Sequence, residues 1–334
     1  MKKVAVIGAG GWGTALAIAL TRSRSPHRVC LWAREDEVVA SLRERHVNEV
    51  FLSGCEVPAA VEVTQDLAEA VAGADFLLGV MPSAHARAMY AAMLPQVQPQ
   101  TAIVSATKGL EPKSLLRMTE VIEQVCTGRF RPRVAALSGP SFAREVARGD
   151  PTAVVIASRD AQLSAEVQEE FSGPTFRLYT NDDVAGVELG GSVKNVIAIA
   201  AGVAEGLGFG HNTLAALITR GLAEMTRLAL ALGARRDTLA GLAGMGDLVL
   251  TCTGSLSRNR AVGVELGKGR PLAEITGAMR MVAEGVGTTA ATHALAARLR
   301  IEMPITAQMY GVLYEGRSPR AAIRELMERP LKQE

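Results

Sequence analysis

The stretch Val4-Ala-Val-Ile-Gly-Ala-Gly-Gly-Trp-Gly13 decides the fold of the first half of this chain. It runs from a short β-branched segment through glycines spaced G-x-G-x-x-G into the apolar helical pattern of Thr14–Leu20. In such a unit Gly8 permits a tight turn, Gly10 lets the backbone approach a pyrophosphate, and Gly13 lets the helix pack against the strand. The anion then meets free N–H groups at a helix N-terminus. The order strand, glycines, helix predicts a dinucleotide site; the alternative is a turn that binds no phosphate.

The next predicted strand, Arg28–Trp32, bears on the choice of cofactor. An acidic residue at the end of this strand normally binds the adenosine ribose. Here Ala33 and Arg34 come first, followed by Glu35. An arginine suits a 2′-phosphate or stacks on adenine, which favours NADP over NAD. The alternative is a solvated Arg34 with Glu35 on the ribose.

Further short apolar runs predict the rest of a largely parallel sheet. Lys108 follows the run Thr101–Thr107, at the edge where doubly wound sheets bind ligands, and is therefore a candidate for a substrate phosphate or hydroxyl. The loop Ser138–Ala143 opens a helix in the same way, unless it is an ordinary capped turn. The predicted strands, some of them short or marginal, are Val61–Val63, Ala74–Met81, Thr101–Thr107, Val134–Leu137, Thr152–Ser158 and Phe176–Tyr179.

One nearly uncharged helical pattern, Leu189–Gly202, contains a single lysine, Lys194. Residues 181–183 offer capping side chains before it. A buried lysine is costly unless it is paired, and burial lowers its pKa towards the range of proton exchange near neutral pH. The alternative is a lysine that snorkels to the surface. Gly190 and Gly191 would let another backbone or a ligand come close to this helix.

Beyond Asn181 strand-like runs almost vanish and Ala/Leu/Gly-rich helices take over. We therefore predict an α/β dinucleotide-binding domain over residues 1–182 and an all-α substrate and catalytic domain over 183–334. In the second half Asp247 and Thr251 are four residues apart, which places them on one face if the segment is helical.

Ser257, Arg258 and Asn259 stand at a predicted helix start and offer a hydroxyl, a guanidinium and an amide. This combination suits a phosphate, and an N-cap with a solvated arginine is an equal alternative. Glu284 follows a loop and is placed either to reach a ribose or carboxamide or to cap a helix.

Composition restricts the partners and the compartment. The 334 residues contain 36 Lys and Arg against 34 Asp and Glu, a net charge of +2, so nothing indicates a nucleic-acid partner or an acidic membrane surface. The longest apolar run, Val196–Ala204, is about half of a membrane span, so we expect no stable membrane insertion. The four cysteines lack metal spacing, and we expect buried thiols, no metal and a cytoplasmic location; they are Cys30, Cys55, Cys126 and Cys252.

Taken together, five motifs in this order resemble the bacterial NAD(P)-dependent sn-glycerol-3-phosphate dehydrogenases, over nearly the whole chain. The resemblance implies a Rossmann-type domain followed by an all-α C-terminal domain of the 6-phosphogluconate-dehydrogenase-like kind. It also implies interconversion of sn-glycerol 3-phosphate and dihydroxyacetone phosphate for phospholipid synthesis, and a homodimer. The motifs are Gly8–Gly13, Ala106–Leu110, Leu189–Asn195, Ala243–Leu248 and Ser257–Arg260.

The resemblance also implies roles for single residues. Lys194 matches the proton acceptor, Lys108 a lysine near cofactor and substrate, and Asn195 and Thr251 polar residues near the catalytic lysine. Two departures, Ser192 for alanine or threonine and Trp12 for tyrosine or phenylalanine, leave every charged group in place. The substrate contacts implied are Gly139, Ser141, Asp247, Ser257, Arg258 and Asn259, and the cofactor positions are Gly11, Trp12, Arg34, Ala143, Arg258, Val282 and Glu284.

The expected reaction is hydride transfer between the nicotinamide and C2 of the three-carbon phosphate. Lys194 would exchange the proton on the C2 oxygen, and Asp247 and Asn195 would orient this lysine and the substrate hydroxyls. The phosphate would be anchored by Arg258, Asn259 and Lys108. Two alternatives are a 3-hydroxyacid or ketopantoate-type reductase, which would act on a carboxylate, and a non-catalytic dinucleotide-binding sensor.

Overall fold

The computed structural model describes residues 1–280 and 282–331. Met281 and residues 332–334, which belong to the predicted helical domain, lie outside the described residues. The described chain consists of an eight-stranded sheet flanked by helices, followed by a group of helices built around one long central helix. The predicted fold class is confirmed.

The sheet has the strand order β3-β2-β1-β4-β5-β6-β7-β8. Neighbouring strands are parallel except β6 and β7, which are antiparallel. The predicted strands are all present, with ends that differ by a few residues. They are β1 Lys2–Ile7, β2 His27–Trp32, β3 Val61–Thr64, β4 Phe76–Gly79, β5 Ala102–Ser105, β6 Arg133–Ser138, β7 Thr152–Ala157 and β8 Phe176–Asn181.

Seven helices belong to the sheet and nine follow it within the described ranges. The first group is α1 Gly11–Leu20, α2 Asp36–Arg45, α3 Leu67–Val71, α4 Ala86–Met93, α5 Met118–Cys126, α6 Ala143–Arg148 and α7 Ala161–Phe171. The second is α8 Val184–Gly206, α9 His211–Ala231, α10 Arg236–Ala240, α11 Asp247–Thr253, α12 Arg258–Gly267, α13 Leu272–Gly277, α14 Glu284–Leu299, α15 Pro304–Tyr314 and α16 Pro319–Met327. A 3-10 turn, Ser83–His85, and a π-helix, Leu242–Gly246, complete the helical elements.

Strand β1 is buried on both faces of the sheet. Val4 and Val6 pack into the core on one side, and Ala5 and Ile7 into the core on the other. A parallel strand covered on both sides needs apolar residues at every position, which is why the run is continuous rather than alternating. The glycine turn that follows β1 is therefore held on a rigid support.

Helix α8 is the centre of the helical half. The carboxylate of Asp183 caps its start by accepting a hydrogen bond from Gly186 N at 2.8 Å, so one of the three predicted capping residues performs this role. The helix is long and apolar enough to cross a membrane, but 94% of its most apolar window is buried inside the protein. It is thus the core helix of the second half.

Helices α8 and α12 approach each other closely through glycines on both surfaces. A Cβ at Gly202 would lie 2.0 Å from Arg260 O, and a Cβ at Gly263 would lie 2.1 Å from Ile199 O. Gly206 and Gly267 repeat this contact one turn further along. Small residues spaced four apart let helix backbones come into contact. This packing fixes the start of α12, where Arg258 and Asn259 lie, relative to the lysine of α8.

The cysteines differ in their exposure. Cys30, Cys126 and Cys252 are buried, as predicted, and all four thiols are free. Cys55 is only half-buried because it lies in the irregular segment between α2 and β3, outside the strands and helices. The prediction of a buried thiol was wrong for this residue.

Candidate active site

The turn after β1 has the shape that the glycine spacing predicts. Gly8 has a φ of +118°, and a Cβ there would lie 2.5 Å from Val80 O. A Cβ at Gly13 would lie 1.8 Å from Gly8 O, so only glycine lets α1 start this close to the strand. Gly10, by contrast, faces open space, and no side chain in the described part of the chain caps the first N–H groups of α1. The turn therefore leaves room and donors for the phosphates of a dinucleotide, and its residues fit that cofactor.

Asn48, which the sequence analysis did not identify, supports this turn. Its buried amide donates to Ala9 O and to Thr14 Oγ1, both at 2.8 Å, and its oxygen accepts from Phe51 N at 3.0 Å. Phe51 O in turn lies 2.8 Å from the position of a Cβ at Gly11. No motif marks Asn48 in the sequence, because it lies in an irregular segment far from the turn.

Arg34 and Glu35, the two residues considered for the adenosine ribose, pair with each other. Arg34 Nη2 donates to Glu35 Oε1 at 2.9 Å, and the arginine side chain is 72% exposed. Both groups stand just after β2, before α2 begins at Asp36. Both the exposed guanidinium and the carboxylate that it pairs with lie at this sheet edge, within reach of a ligand bound there.

Lys194 is buried in the middle of α8 rather than extended to the surface, so the snorkelling alternative was wrong. The residue is 5% exposed. Its amine forms an ion pair with Asp247 Oδ1 and donates to Thr251 Oγ1 at 2.8 Å. Lys108 donates to the other carboxylate oxygen, Asp247 Oδ2, at 2.9 Å. Asp247 is fully buried between the two lysines.

Burial lowers the pKa of Lys194 to about 7. The charge of Asp247 opposes this change, and the charge of Lys108 adds to it. A lysine that titrates near neutral pH can both give and take a proton under cellular conditions, which suits general acid and base catalysis.

Two glycines of α8 let neighbouring elements come close enough to form this group. A Cβ at Gly190 would lie 2.4 Å from Ala243 O, in the π-helix that leads directly to Asp247. A Cβ at Gly191 would lie 2.2 Å from Ser138 Oγ, at the end of β6. Segment 247–253 is helical, and Thr251 Oγ1 donates to Asp247 O at 2.6 Å, as their spacing predicts.

Lys108 connects this pair to the sheet. Its amine also donates to Gly139 O at 2.9 Å and to Ser141 Oγ at 3.1 Å. The amine lies 5.9 Å from the centre of the Trp12 ring, a cation–π distance. The structure thus brings six of the predicted site residues together around Asp247: Trp12, Lys108, Gly139, Ser141, Lys194 and Thr251.

A second group of predicted residues lies at the start of α12. Ser257 Oγ accepts from Arg260 N at 3.2 Å and so caps this helix, as one alternative expected. Arg258 Nη1 donates to Val282 O at 3.1 Å, and Asn259 Oδ1 accepts from Gly285 N at 2.9 Å. Asn259 keeps its amide N–H groups free of any bond to the described residues.

Glu284 lies with the residues at the start of α12 and faces the group around Asp247. Its Oε2 atom is buried and has no hydrogen-bond partner in the described part of the chain. It lies 3.0 Å from the position of a Cβ at Gly109, next to Lys108. Burial raises the pKa of Glu284 to about 7, although the charge of Arg258 opposes this. A buried, unpartnered acceptor at this point is suited to a ligand donor.

Three predicted residues make fewer contacts. Asn195 is 5% exposed, and its side chain forms no hydrogen bond within residues 1–280 and 282–331. Val282 is 58% exposed and contributes its carbonyl oxygen to Arg258. Ala143 begins α6 and lies 3.8 Å from the position of a Cβ at Gly11.

Ser138 begins a loop that was predicted to open a helix, but it was not among the predicted site residues. Its Oγ is buried, has no partner among the described residues and faces α8. The only available signal was its position at the carboxyl end of β6, where ligands of such sheets bind. In the described part of the chain no group of three His, Cys, Asp or Glu residues is arranged to hold a metal ion.

Two family models cover most of the chain. The model described as the N-terminus of NAD-dependent glycerol-3-phosphate dehydrogenase matches residues 3–164, and the model described as its C-terminus matches residues 183–324. The chain belongs to this family. The resemblance drawn from the five motifs, and with it the expectation of an enzyme, is confirmed.

Relatives of known name agree with the family models. The glycerol-3-phosphate dehydrogenase [NAD(P)+] of Koribacter versatilis is 61% identical over 331 residues, which cover 99% of this chain and 98% of the relative. That of Geobacter sulfurreducens is 54% identical over 337 residues, 100% of this chain and 99% of the relative.

Solved structures show the same architecture. The glycerol-3-phosphate dehydrogenase of Coxiella burnetii is 42% identical, superposes with a TM-score of 0.92 and covers 98% of this chain and 99% of that one. A PanE/ApbA family ketopantoate reductase from Ralstonia eutropha superposes with a TM-score of 0.60 at 17% identity, covering 98% of this chain and 100% of that one. This second likeness concerns the fold alone.

Proposed function

We propose that this enzyme interconverts sn-glycerol 3-phosphate and dihydroxyacetone phosphate, with Lys194 as the general acid and base. The observation that carries the proposal is the buried group formed by Lys194, Asp247 and Lys108 at the carboxyl edge of the sheet. Family membership and the names of the relatives support the choice of substrate.

Lys194 acts on the oxygen at C2 of the substrate. In the reductive direction its ammonium donates a proton to this oxygen, and in the oxidative direction its neutral amine takes the hydroxyl proton. The charged form also stabilises negative charge that develops on the oxygen, an effect that is strong in a buried site. Asp247 and Thr251 hold the amine in one position, and Asn195, on the same helix, orients the substrate hydroxyls together with Asp247.

The nicotinamide, when bound, exchanges a hydride with C2 of the substrate. The phosphates of the dinucleotide would be held at the glycine turn, by Gly8, Gly10, Gly11 and Gly13. Arg34 would lie at its adenosine end. The other residues beside the bound cofactor would be Trp12, Ala143, Val282 and Glu284. We propose that NADP is preferred over NAD, because Arg34 stands at the position that suits a 2′-phosphate.

The substrate phosphate would be bound by Arg258, by the amide N–H groups of Asn259 and by Ser257, with Lys108, Gly139 and Ser141 on the opposite side. Arg258 presents a guanidinium, which matches phosphate geometry. Binding energy from this non-reacting group then positions C2 against Lys194.

The deciding experiment mixes purified protein with dihydroxyacetone phosphate and NADPH or NADH and follows the loss of reduced-nicotinamide absorbance. Rapid oxidation supports the reaction, and dihydroxyacetone without its phosphate should give far less. A carboxylate substrate is the main alternative, since the fold is shared with ketopantoate reductase and Arg258 would also bind a carboxylate. Activity on a panel of 2-keto and 3-keto acids, with none on the phosphate, would overturn the proposal.

We propose that the enzyme supplies glycerol 3-phosphate for phospholipid synthesis, acts in the cytoplasm and forms a homodimer, with the border of its two domains at residues 182 and 183. The last strand ends at Asn181 and α8 begins at Val184, which supports that border. Size-exclusion chromatography with light scattering tests the dimer. A protein that binds the nucleotide but turns over no substrate would instead be the non-catalytic sensor.

A further inference from the structure

A cavity of about 1000 Å³ lies at the edge of the sheet opposite the candidate active site. The start of β6, at Arg133, and the residues after the end of β7, Ser158 and Arg159, line it. Since β6 and β7 are antiparallel, these two ends share one edge. The other end of β6 leads to Ser138 and Gly139, so the strand separates the cavity from the site around Lys194.

Five arginines line the cavity, against two carboxylates, Glu123 and Asp160. Two of the arginines are held by carboxylates: Arg117 by Glu188 and Glu120, and Arg133 by Glu166. The other three are exposed, and their side chains form no hydrogen bond or ion pair within residues 1–280 and 282–331. They are Arg129, Arg131 and Arg159.

Three unpaired guanidinium groups around one concave space are the feature that points to a ligand. They come from the turn after α5, the segment before β6 and the turn after β7, so their charges surround the space rather than lie on one helix. Guanidinium groups bind phosphate through paired, charge-assisted hydrogen bonds. The volume is in the range of small-molecule sites, and a concave site favours such a ligand over a nucleic acid or a membrane surface.

We propose that this cavity binds a small molecule that carries at least two phosphate groups. The three unpaired arginines come from separate segments, so each can bind a phosphate group of its own, and together with Glu123 and Asp160 they keep a net positive charge. Nucleotides and inorganic polyphosphates share this chemistry, and the experiment below distinguishes them.

The cavity also has a direct contact with the catalytic helix. Arg117 and Thr119 line it and hold Glu188 of α8, through Arg117 Nη1 at 2.9 Å, Thr119 N at 2.9 Å and Thr119 Oγ1 at 2.6 Å. Glu188 is buried, and Lys194 follows it in the same helix. An anion that attracts Arg117 leaves this carboxylate less compensated, which is costly in the interior. We therefore expect an occupant to lower turnover.

Binding is tested by calorimetry on the full chain, with ATP, inorganic tripolyphosphate and adenosine as probes and NADP present at saturation to fill the cofactor site. The variant replaces Arg129, Arg131 and Arg159 with glutamine. The matched control replaces three exposed arginines elsewhere, whose side chains form no hydrogen bond or ion pair with the described residues, with glutamine and loses the same net charge. They are Arg24, Arg298 and Arg320.

We expect ATP and tripolyphosphate to bind the wild type and the control equally, the cavity variant to lose at least about tenfold in affinity, and adenosine not to bind. ATP binding without tripolyphosphate binding identifies a nucleotide ligand. Equal affinity in all three proteins, or no saturable heat up to millimolar concentration, overturns the proposal. This binding measurement does not depend on the reaction, so its failure is distinct from failure of the proposed function.

Turnover tests the contact with α8. ATP at saturating substrate and cofactor should lower kcat about twofold or more in the wild type and the control, and not in the cavity variant. Binding with an unchanged kcat would exclude transmission through Arg117. Inhibition that raises only the KM for cofactor, equally in all three proteins, would place ATP in the dinucleotide site and contradict the cavity as its target.

Discussion

Lys194 and Asp247 form an ion pair in which both side chains are almost completely buried. Asp247 uses its second carboxylate oxygen to accept a hydrogen bond from Lys108. One carboxylate therefore balances two lysines from different halves of the fold. The charges of Asp247 and Lys108 both influence the proton affinity of Lys194.

Replacing Lys194 with methionine removes the amine and keeps an apolar stem of similar length. We expect kcat to fall by about 10²–10⁴-fold, the usual contribution of a positioned acid or base, while cofactor still binds. Steady-state kinetics and a cofactor fluorescence titration measure the two quantities. Lys268→Met changes an exposed lysine paired with Glu265 and should retain normal activity. Near-normal turnover of Lys194→Met would remove Lys194 from its role.

The pKa of about 7 for Lys194 predicts opposite pH profiles for the two directions of the reaction. Reduction needs the protonated amine, so kcat/KM should fall as the pH rises above about 7. Oxidation needs the neutral amine, so kcat/KM should rise through the same range. Glu284 also has a pKa of about 7, and Glu284→Gln separates the two groups, because both limbs should persist in that variant. Profiles that change in the same direction would contradict the assignment.

Asp247→Asn should move the midpoint of these profiles to lower pH. The carboxylate raises the pKa of Lys194, and its loss leaves burial and Lys108, which both lower it. Leaving buried lysines without their counter-charge should also reduce the free energy of unfolding by about 3–5 kcal/mol. Urea unfolding and the pH profile test both effects, with the exposed Asp237→Asn as control. An unchanged midpoint would show that Asp247 does not set the proton affinity.

Gly190→Ala should lower kcat without a large change in cofactor affinity. The added Cβ would lie 2.4 Å from the backbone oxygen of Ala243, so the π-helix must shift, and Asp247 with it. A displacement of about 1 Å at a catalytic group costs up to 10²-fold in rate. Gly277→Ala is the matched control, since a Cβ at this helical position meets nothing within 4 Å. Equal activity of the two variants would argue against a tight contact at Gly190.

Arg34→Gln and Glu35→Gln decide between the two interpretations of cofactor choice. If Arg34 binds the 2′-phosphate, its loss should raise the KM for NADPH about tenfold and leave that for NADH nearly unchanged. If Glu35 binds the ribose, Glu35→Gln should instead weaken NADH. Parallel assays with both cofactors measure the ratio. No change with Arg34→Gln would contradict a preference for NADP that rests on this residue.

Several features of the fold are local and could be predicted from the sequence. The turn of Gly8 depends on a positive φ and on the absence of a Cβ, which the glycine spacing encodes directly. The helical phase of Asp247 and Thr251 follows from their spacing of four. Lys194 could be selected because a charge within an apolar helical run is costly and so demands an explanation.

Other features could not be predicted because they join distant parts of the chain. Asn48 supports the glycine turn from 39 residues away, and nothing near it in the sequence indicates this. The exposure of Cys55 depends on how an irregular segment is covered. The contact of Arg117 with Glu188 spans 71 residues and involves two side chains that no motif singles out.

The sequence by itself determined the dinucleotide turn, the succession of a sheet and a helical half, and the identity of the lysine in the central helix. These follow from backbone sterics and from hydrophobic periodicity, which act between near neighbours along the chain. Only the tertiary structure decided that Lys108 and Lys194 share Asp247, 139 and 53 residues away from them. That outcome depends on close contacts at Gly190, with the backbone of Ala243, and at Gly191, with the side chain of Ser138, where the absence of a side chain lets separate elements meet.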